Sequence, residues 1–298
     1  MKKVILLGEE TNLLTNIRRN DNIEIINFKK YHFSNDNIIY QLEEEKKIDK
    51  INIMADLSEK LHENLWGLFI TLDFLKRKNV EIDKLIFPYF PYSRSNHEHK
   101  NHTLSLFTII KYLNNYIIGK IITFDPHFEN QKLPFKNKFK IIKQEHIFES
   151  ILNKKLIKNS LIIGPDKGSQ QRIDELKNKF KISGFALNKI RIGHNEKVTI
   201  SIKDFQTEKI RNSNYVTIFD DEICSGDTIL KTINIINKIN KNLIVDIFVT
   251  HNFLKYFDNG ILKNVRVMHT TNSVNNLISH SKIKKIDIAK IIVEEIND

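Results

Sequence analysis

The sequence predicts an α/β fold with mostly parallel sheets, divided into two domains. Apolar runs of strand length alternate with segments whose apolar residues recur every three to four positions, the helical period. The runs Leu161–Gly164 and Ile247–Thr250 are almost wholly apolar, as expected of strands covered by helices on both faces. For 298 residues, the number of such runs fits two domains better than one.

The first half of the chain opens with a strand and continues in strand–helix alternation. Its predicted strands are apolar runs that stop at Gly, Pro or a polar cluster, and its predicted helices carry the three-to-four spacing. The strands are Met1–Gly8, Ile51–Ala55, Lys84–Pro88 and Lys120–Phe124, and the helices are Leu61–Lys78 and Leu104–Leu113.

The second half repeats this alternation. Strands are predicted at Leu161–Gly164, Val216–Phe219 and Leu243–Thr250, and a terminal helix at Lys284–Glu295. We place the domains at residues 1–145 and 146–281, although no Pro- or Gly-rich linker marks the boundary. No tandem repeat is evident in the sequence.

Composition narrows the class of protein. The net charge is +11, but the lysines are scattered and no helix-turn-helix, RRM or zinc-finger pattern accompanies them, so no nucleic acid partner is expected. The single cysteine excludes an intrachain disulfide and favours a reducing compartment. The opening apolar run is short for a signal sequence and no window resembles a membrane span, so we expect a cytoplasmic protein without a membrane partner.

Polar clusters follow several predicted strands at the point where each strand ends. They are Tyr92–Lys100, Asp125–Gln131, Asp166–Arg172 and Asp220–Thr228. Ligands of open α/β sheets bind outside the carboxyl ends of the strands. The clusters therefore predict one composite site.

The stretch 216-VTIFDDEICSGDTIL-230 is the most informative of these. Small residues between a strand and a helix allow backbone N–H groups to surround an anion at the helix N-terminus, and the Ser225 and Thr228 hydroxyls can donate to it. Asp220 and Asp221 only accept when ionised, so they suit sugar hydroxyls or a hydrated Mg²⁺. Together these features describe a ribose 5-phosphate site.

The segment DDEICSGDT also resembles the phosphoribosyl-binding loop shared by type I phosphoribosyltransferases and ribose-phosphate pyrophosphokinases (PRPP synthetases). Further segments resemble the pyrophosphokinases, in the same order along almost the whole chain. The stronger ones are 88-PYFPYSR-94, 122-ITFDPH-127 and 165-PDKGSQQR-172, and the weaker ones are Phe33-Ser34, Asn64-Leu65, 189-KIR-191 and 249-VTH-251.

This resemblance implies two phosphoribosyltransferase-like domains, with the active site in the cleft between them. It implies transfer of the pyrophosphoryl group of ATP to the 1-hydroxyl of ribose 5-phosphate, giving PRPP and AMP, with Mg²⁺ as cofactor. It also implies a homo-oligomer in which dimers build hexamers, and a C-terminal helix (282–298) packed on the first domain.

The site residues follow from the matched motifs. ATP would be bound by Arg94, Ser95 and His127, and by Phe33, Asn35 and Asn37 of a neighbouring subunit. His127 and Asp166 would each ligate a Mg²⁺, and Lys189, Arg191 and His127 would be catalytic. The acceptor would be bound by Asp220, Asp221, Cys224, Ser225, Gly226, Asp227 and Thr228.

Several residues depart from the family pattern. Cys224 and Asp227 replace an aspartate and a glycine of the usual D-D-M-I-D-T-G-G-T loop. Because an acid facing a phosphate is unfavourable, we expect the Asp227 side chain to point away. Ser95 replaces a glutamine, Asn37 replaces an acid near adenine, and 165-PDKGS-169 places Lys167 at the second metal site.

These departures leave alternatives open. One is a pyrophosphokinase for another ribose-ended acceptor such as ADP-ribose, and another is a non-catalytic regulatory paralogue. A phosphoribosyltransferase is weaker, because it leaves Arg94 and His127 without a role. A metal site at His97, Glu98, His99 and His102 is disfavoured, because their spacing fits no standard zinc site well.

Overall fold

The computed structural model describes residues 1–43, 48–95, 103–128, 133–135, 138–152, 160–192, 197–255 and 265–298, with backbone alone for 189–192 and 197–200. The chain forms two compact units. Unit 1 comprises Met1–Lys143, Asn272–Asn275 and Asp287–Asp298, and unit 2 comprises Gln144–Thr271 and Asn276–Ile286.

Unit 1 is built on a six-stranded sheet in the order β2-β1-β5-β6-β7-β8, in which every pair is parallel. A separate antiparallel hairpin, β3–β4, lies between β2 and β5 in the chain. The strands are β1 Lys2–Leu7, β2 Ile23–Ile25, β3 Phe28–His32, β4 Ile38–Leu42, β5 Lys50–Ala55, β6 Glu81–Phe87, β7 Ile118–Phe124 and β8 Lys138–Ile142.

The helices of unit 1 bury one apolar face each. They are α1 Asn12–Arg18, α2 Leu61–Arg77, α3 Ser105–Leu113 and the C-terminal helix, α9 Ala289–Asn297. In α2 the buried residues Leu68, Leu72 and Leu75 recur at helical spacing and join the same core as Ile53 and Leu85 of the sheet. This periodicity explains why the helix was predictable.

Unit 2 has a second six-stranded parallel sheet, in the order β10-β9-β13-β14-β15-β16. An antiparallel hairpin, β11–β12, again stands apart from it. The strands are β9 Leu161–Gly164, β10 Gly184–Ala186, β11 Asn188–Ile192, β12 Lys197–Ser201, β13 Tyr215–Ile223, β14 Ile244–Asn252, β15 Val265–Thr271 and β16 Ile283–Ile286.

The helices of unit 2 follow the same rule. In α8 the buried Ile229, Ile233 and Ile236 form one face against a core that includes Ile218 and Ile247. The helices are α4 Gln144–Ile147, α5 Glu149–Leu152, α6 Gln170–Phe180, α7 Asp204–Arg211 and α8 Asp227–Ile239, and a 3₁₀ turn spans Lys167–Ser169.

The two units share one topology. In each sheet, taking its strands in chain order, the sequence across the sheet is second, first, third, fourth, fifth, sixth. In each, a two-stranded hairpin follows the second strand. The predicted fold class is confirmed: the chain is α/β, with two mostly parallel sheets flanked by helices. The carboxyl ends of neighbouring parallel strands meet at one edge, which places strand-end side chains together within each unit.

Three predicted element boundaries are wrong. Strands β13 and β14 run past Phe219 and Thr250, because their parallel pairing continues through Glu222 with His251 and Ile223 with Asn252. The acidic pair therefore lies inside a strand. The predicted helix Lys284–Glu295 begins too early, since Ile283–Ile286 pair with β15 and the helix starts at Ala289, whose N–H donates to Asp287 Oδ1 over 2.9 Å.

Within the residues that the structure describes, no helix has both the length and the apolar character needed to cross a membrane.

Candidate functional site

In unit 2, a short loop connects the end of β13 to the start of α8 and turns at Gly226. Gly226 has φ 83°, in the left-handed region, and caps α8 from just before Asp227. Glycine adopts this conformation without the cost a side chain would impose. The turn therefore presents the N-terminus of a thirteen-residue helix at the carboxyl end of β13.

Asp220 and Asp221 occupy different environments. Asp221 is buried, and its Oδ1 lies 3.9 Å from Nη1 of Arg172, a residue of α6. Asp220 is partly exposed to solvent. Its Oδ1 accepts the Asp221 N–H over 3.1 Å. Burial of the carboxyl and the charge of Asp221 raise the pKa of Asp220 well above its ordinary value, and Arg172 opposes that rise.

Gln144, at the start of α4, holds this strand end in place. Its Nε2 donates to the Asp220 carbonyl oxygen over 2.7 Å and to Thr250 Oγ1 over 3.2 Å. Thr271 Oγ1 in turn donates to the Thr250 carbonyl oxygen over 2.8 Å. Because Gln144 is 1% exposed, these hydrogen bonds are shielded from water and fix the carboxyl ends of β13, β14 and β15.

The loop side chains bond to acids of the same segment. Cys224 is exposed and its Sγ donates to Glu222 Oε1 over 3.2 Å. The Ser225 hydroxyl donates to Asp227 Oδ2 over 3.0 Å. The Asp227 carboxylate therefore accepts the Ser225 hydroxyl that was expected to bind phosphate, and its expected orientation away from a bound phosphate stays a prediction.

The loop after β9 presents Asp166. Its Oδ1 accepts the Gly168 N–H over 2.9 Å, and Ser169 Oγ donates to the Asp166 carbonyl over 2.5 Å. The charge of Asp166 contributes to the raised pKa of Asp220, so the two side chains lie within electrostatic reach. The structure thus brings Asp166, Arg172, Asp220 and Asp221 together in one charged cluster.

Lys189 and Arg191 lie two positions apart in β11, opposite Ile200 and Val198 of β12. They therefore belong to the hairpin that stands apart from the main sheet of unit 2.

In unit 1, Arg94, Ser95 and His127 follow the neighbouring strands β6 and β7. Arg94 and His127 are exposed. Ser95 Oγ accepts the Ser105 N–H at the start of α3 over 3.1 Å, so this side chain supports the local backbone.

The predicted residues Phe33, Asn35 and Asn37 form the turn of the β3–β4 hairpin. The Phe33 N–H donates to the Asn37 carbonyl over 2.8 Å, and Asn35 Oδ1 accepts the Asn37 N–H over 3.3 Å. The turn borders a hollow of about 590 Å³ that Trp66 and Glu63 of α2 also line. Arg94 and His127 are not among its lining residues, so this turn forms a separate feature of unit 1.

The histidine cluster at residues 97–102 lies outside the described residues, as do the loops at 129–132 and 193–196.

Sequence reasoning missed Gln144 and Arg172 as site residues. Arg172 is the last residue of the matched segment 165-PDKGSQQR-172, so this motif could have identified it as a site residue. Gln144 gave none, because its bond to Asp220 joins residues 76 positions apart.

The N-terminal part of the chain matches a family model. Residues 2–116 match the N-terminal domain of ribose phosphate pyrophosphokinase.

Curated relatives extend the similarity over most of the chain. The Pyrococcus abyssi ribose-phosphate pyrophosphokinase is 28% identical over 78% of this chain and 78% of its own length. The Helicobacter hepaticus protein of the same name is 23% identical over 89% of this chain and 84% of its own.

The fold is also found in a solved structure. Phosphoribosylpyrophosphate synthetase from Mycobacterium smegmatis superposes with a TM-score of 0.84, covering 100% of this chain and 98% of that one at 17% identity. Low identity combined with nearly complete coverage marks a divergent sequence on a common fold. The motifs and these similarities relate the chain to ribose-phosphate pyrophosphokinases over most of its length, and its fold is that of the solved synthetase.

Proposed function

We propose that the protein transfers the pyrophosphoryl group of ATP to the anomeric hydroxyl of a ribose phosphate, with Mg²⁺, releasing AMP. The similarity to ribose-phosphate pyrophosphokinases over most of the chain supports a pyrophosphoryl transferase. The observation that carries the finer proposal is the partly buried carboxylate of Asp220 beside the Gly226 turn and the N-terminus of α8. A ribose phosphate needs this combination, in which acceptors face the hydroxyls and N–H donors face the phosphate.

A Mg²⁺ ion would be held by one or two protein ligands, since the described residues contain no group of three His, Cys, Asp or Glu side chains placed to hold a metal. Asp221 and Asp166 each lie within electrostatic reach of Asp220, and their repulsion is part of what raises the pKa of Asp220. Mg²⁺ takes one or two protein carboxylates together with water and phosphate oxygens, so Asp166 in unit 2 and His127 in unit 1 suit the sparse ligation proposed for two ions. When bound there, the metal would neutralise negative charge on the transferring phosphates.

The chain's own residues mainly align the two substrates and stabilise the negative charge of the transferring phosphates. Asp220 orients the ribose hydroxyls, and Gln144 fixes the backbone carbonyl of Asp220. Lys189 and Arg191 stabilise the charge that develops on the transferring group, and Arg94 and His127 bind the ATP phosphates. The ribose O1–Pβ bond forms as the bond between Pβ and the oxygen shared with Pα breaks, and the O1 proton leaves to solvent.

We retain the proposal of a homo-oligomer in which the β3–β4 turn serves the ATP site of a neighbouring subunit. Phe33, Ile39 and Trp66 are 51%, 46% and 59% exposed in this region, which supports an apolar contact surface. Light scattering should give the mass of two or more chains of 35.1 kDa each. A monomer at micromolar concentration would overturn this part of the proposal.

Nucleotide chromatography tests the activity. With ATP, Mg²⁺ and ribose 5-phosphate or a ribose-ended phosphodiester, AMP should accumulate only when the acceptor is present, and EDTA should abolish it. Accumulation of ADP would identify single phosphoryl transfer and overturn the proposal. The absence of nucleotide turnover with every acceptor would favour a regulatory, non-catalytic role.

A further inference from the structure

The acceptor loop carries one more acid than the D-D-M-I-D-T-G-G-T pattern that it resembles. Residues 220–228 contain four acids, Asp220, Asp221, Glu222 and Asp227, and no Lys or Arg. A phosphate monoester at neutral pH carries a charge of about −1.5 to −2. Its binding here would depend on backbone N–H groups, the Ser and Thr hydroxyls and the N-terminus of α8.

Asp227 competes with a ligand for those same donors. It is the first residue of α8, where a carboxylate already interacts favourably with the helix dipole. Its Oδ2 also accepts the Ser225 hydroxyl over 3.0 Å, and its own N–H lies 3.4 Å from Ser225 Oγ. The carboxylate therefore supplies one negative charge inside the turn, and a second anion must bind beside it.

We propose that Asp227 is a specificity-determining residue that disfavours a phosphate monoester dianion, so that the preferred acceptor is a ribose whose 5-position carries a monoanionic phosphodiester. This inference rests on the proposed function, since it assumes that the loop binds the 5-substituent. A monoanion keeps the attraction of the helix N-terminus and suffers about half the repulsion from Asp227 that a dianion suffers. A diester also carries a further group, which places the acceptor among larger ribose-ended molecules.

Calorimetry on the full chain can test this with two probes, ribose 5-phosphate and its methyl phosphodiester. The wild type should bind the diester at least as tightly as the monoester. In Asp227→Asn the ratio of the two Kd values should shift toward the monoester by roughly threefold to tenfold, the effect of one unit charge at a partly screened surface site.

Asp204→Asn is the matched control. Asp204 is exposed and, like Asp227, is the first residue of its helix, so its loss changes net charge and the helix dipole equally. It should leave the Kd ratio unchanged. A ratio that stays within twofold of wild type in Asp227→Asn would overturn the proposal, as would a wild type that binds the monoester tenfold more tightly than the diester.

Turnover measured in parallel separates the two proposals. If the Kd ratio shifts as expected but no variant forms AMP, the loop specificity stands and the pyrophosphoryl transfer fails. If AMP forms but Asp227→Asn leaves the ratio unchanged, the transfer stands and the specificity fails. If no protein binds either probe, the acceptor loop and its specificity both fail.

Discussion

At the residue scale, the proposed acceptor site contains the buried side-chain amide of Gln144 and two carboxylates, Asp220 and Asp221, in different environments. Gln144 ties the backbone of Asp220 to Thr250, whereas Asp221 lies beside Arg172. We therefore propose different tasks for the two adjacent acids of this motif. Asp220 is the carboxylate exposed enough to meet a ligand, and Asp221 with Arg172 shapes the field around it.

Replacing Gln144 by leucine should reduce both stability and acceptor binding. Loss of two buried hydrogen bonds is expected to lower the free energy of unfolding by about 1–3 kcal/mol. Release of the Asp220 backbone should raise KM for the acceptor with a smaller change in KM for ATP. Urea unfolding and steady-state kinetics measure the two effects.

Asn52→Leu is the control for this substitution. Asn52 is also buried, and its Nδ2 donates to the Lys3 carbonyl over 3.2 Å in unit 1. It should cost similar stability without a selective rise in KM for the acceptor. An unchanged acceptor KM in Gln144→Leu would show that the glutamine only supports the fold.

Replacing Asp220 by asparagine should impair activity while stabilising the fold. Because the folded state raises the pKa of Asp220, the native protein is penalised at pH values above the ordinary aspartate pKa, where the unfolded chain ionises freely. The variant should therefore unfold at a higher temperature than wild type at pH 8, and the difference should shrink as the pH falls toward 4. Its acceptor KM should rise about tenfold to a hundredfold, the effect of losing a charged hydrogen bond.

Thermal unfolding in EDTA-containing buffer across this pH range is the measurement. A variant that is less stable than wild type at pH 8 would contradict the raised pKa.

At the element scale, the predictions concern two elements outside the main sheets, the helix α9 and the β11–β12 hairpin. The C-terminal helix α9 packs in unit 1 through Lys84, whose Nζ donates to the carbonyl oxygens of Glu295 over 2.6 Å and Ile296 over 3.4 Å. Burial lowers the pKa of this lysine below its ordinary value. Lys140 adds an ion pair of 2.7 Å to Glu295, so two strands hold the end of the helix.

Lys84→Met should weaken this attachment. The last turn of α9 loses a cation that satisfies its free carbonyl groups, which should cost about 1–3 kcal/mol of unfolding free energy and raise hydrogen exchange in the helix. Lys138→Met, at an exposed position of β8, should change stability by less than about 0.5 kcal/mol. Equal effects of the two substitutions would refute the capping role of Lys84.

The β11–β12 hairpin should be catalytic rather than structural. Lys189→Ala and Arg191→Ala are each expected to lower kcat about 100-fold to 1000-fold, the range for losing a group that stabilises transition-state charge. Lys29→Ala is the matched control, because Lys29 is the second residue of β3 as Lys189 is of β11. Kinetics and a melting curve for each variant test this. A loss of activity that merely follows a loss of stability would contradict the assignment.

At the scale of the whole molecule, we propose different chemical roles for two units of identical strand order. Residues proposed for ATP lie in unit 1, and those proposed for the acceptor lie in unit 2. The shared topology was expected from the family resemblance alone, because the chain shows no sequence repeat to reveal it. What was predictable came from local pattern, namely strand runs, helical periodicity and motifs such as PDKGSQQR.

Long-range contacts account for what the sequence could not provide. The pairing of Glu222 with His251 extended β13 beyond its apolar run, and the bond between Gln144 and Asp220 joins distant segments. The hydrogen bond between Ser225 and Asp227 is local, but its direction depends on the turn geometry at Gly226. The sequence shows which residues of this loop depart from the family pattern. Their physical consequence depends on the three-dimensional structure.

The most direct test of pyrophosphoryl transfer is phosphorus NMR of the full-length protein with Mg²⁺, ATP and ribose 5-phosphate or its methyl phosphodiester. The account predicts loss of the ATP resonances, appearance of AMP and two new coupled resonances of a pyrophosphoryl group on the sugar. Lys189→Ala should lose this signal under the same conditions. Formation of ADP with a single phosphoryl group added to the acceptor, or ATP breakdown that does not depend on the sugar, would contradict the account.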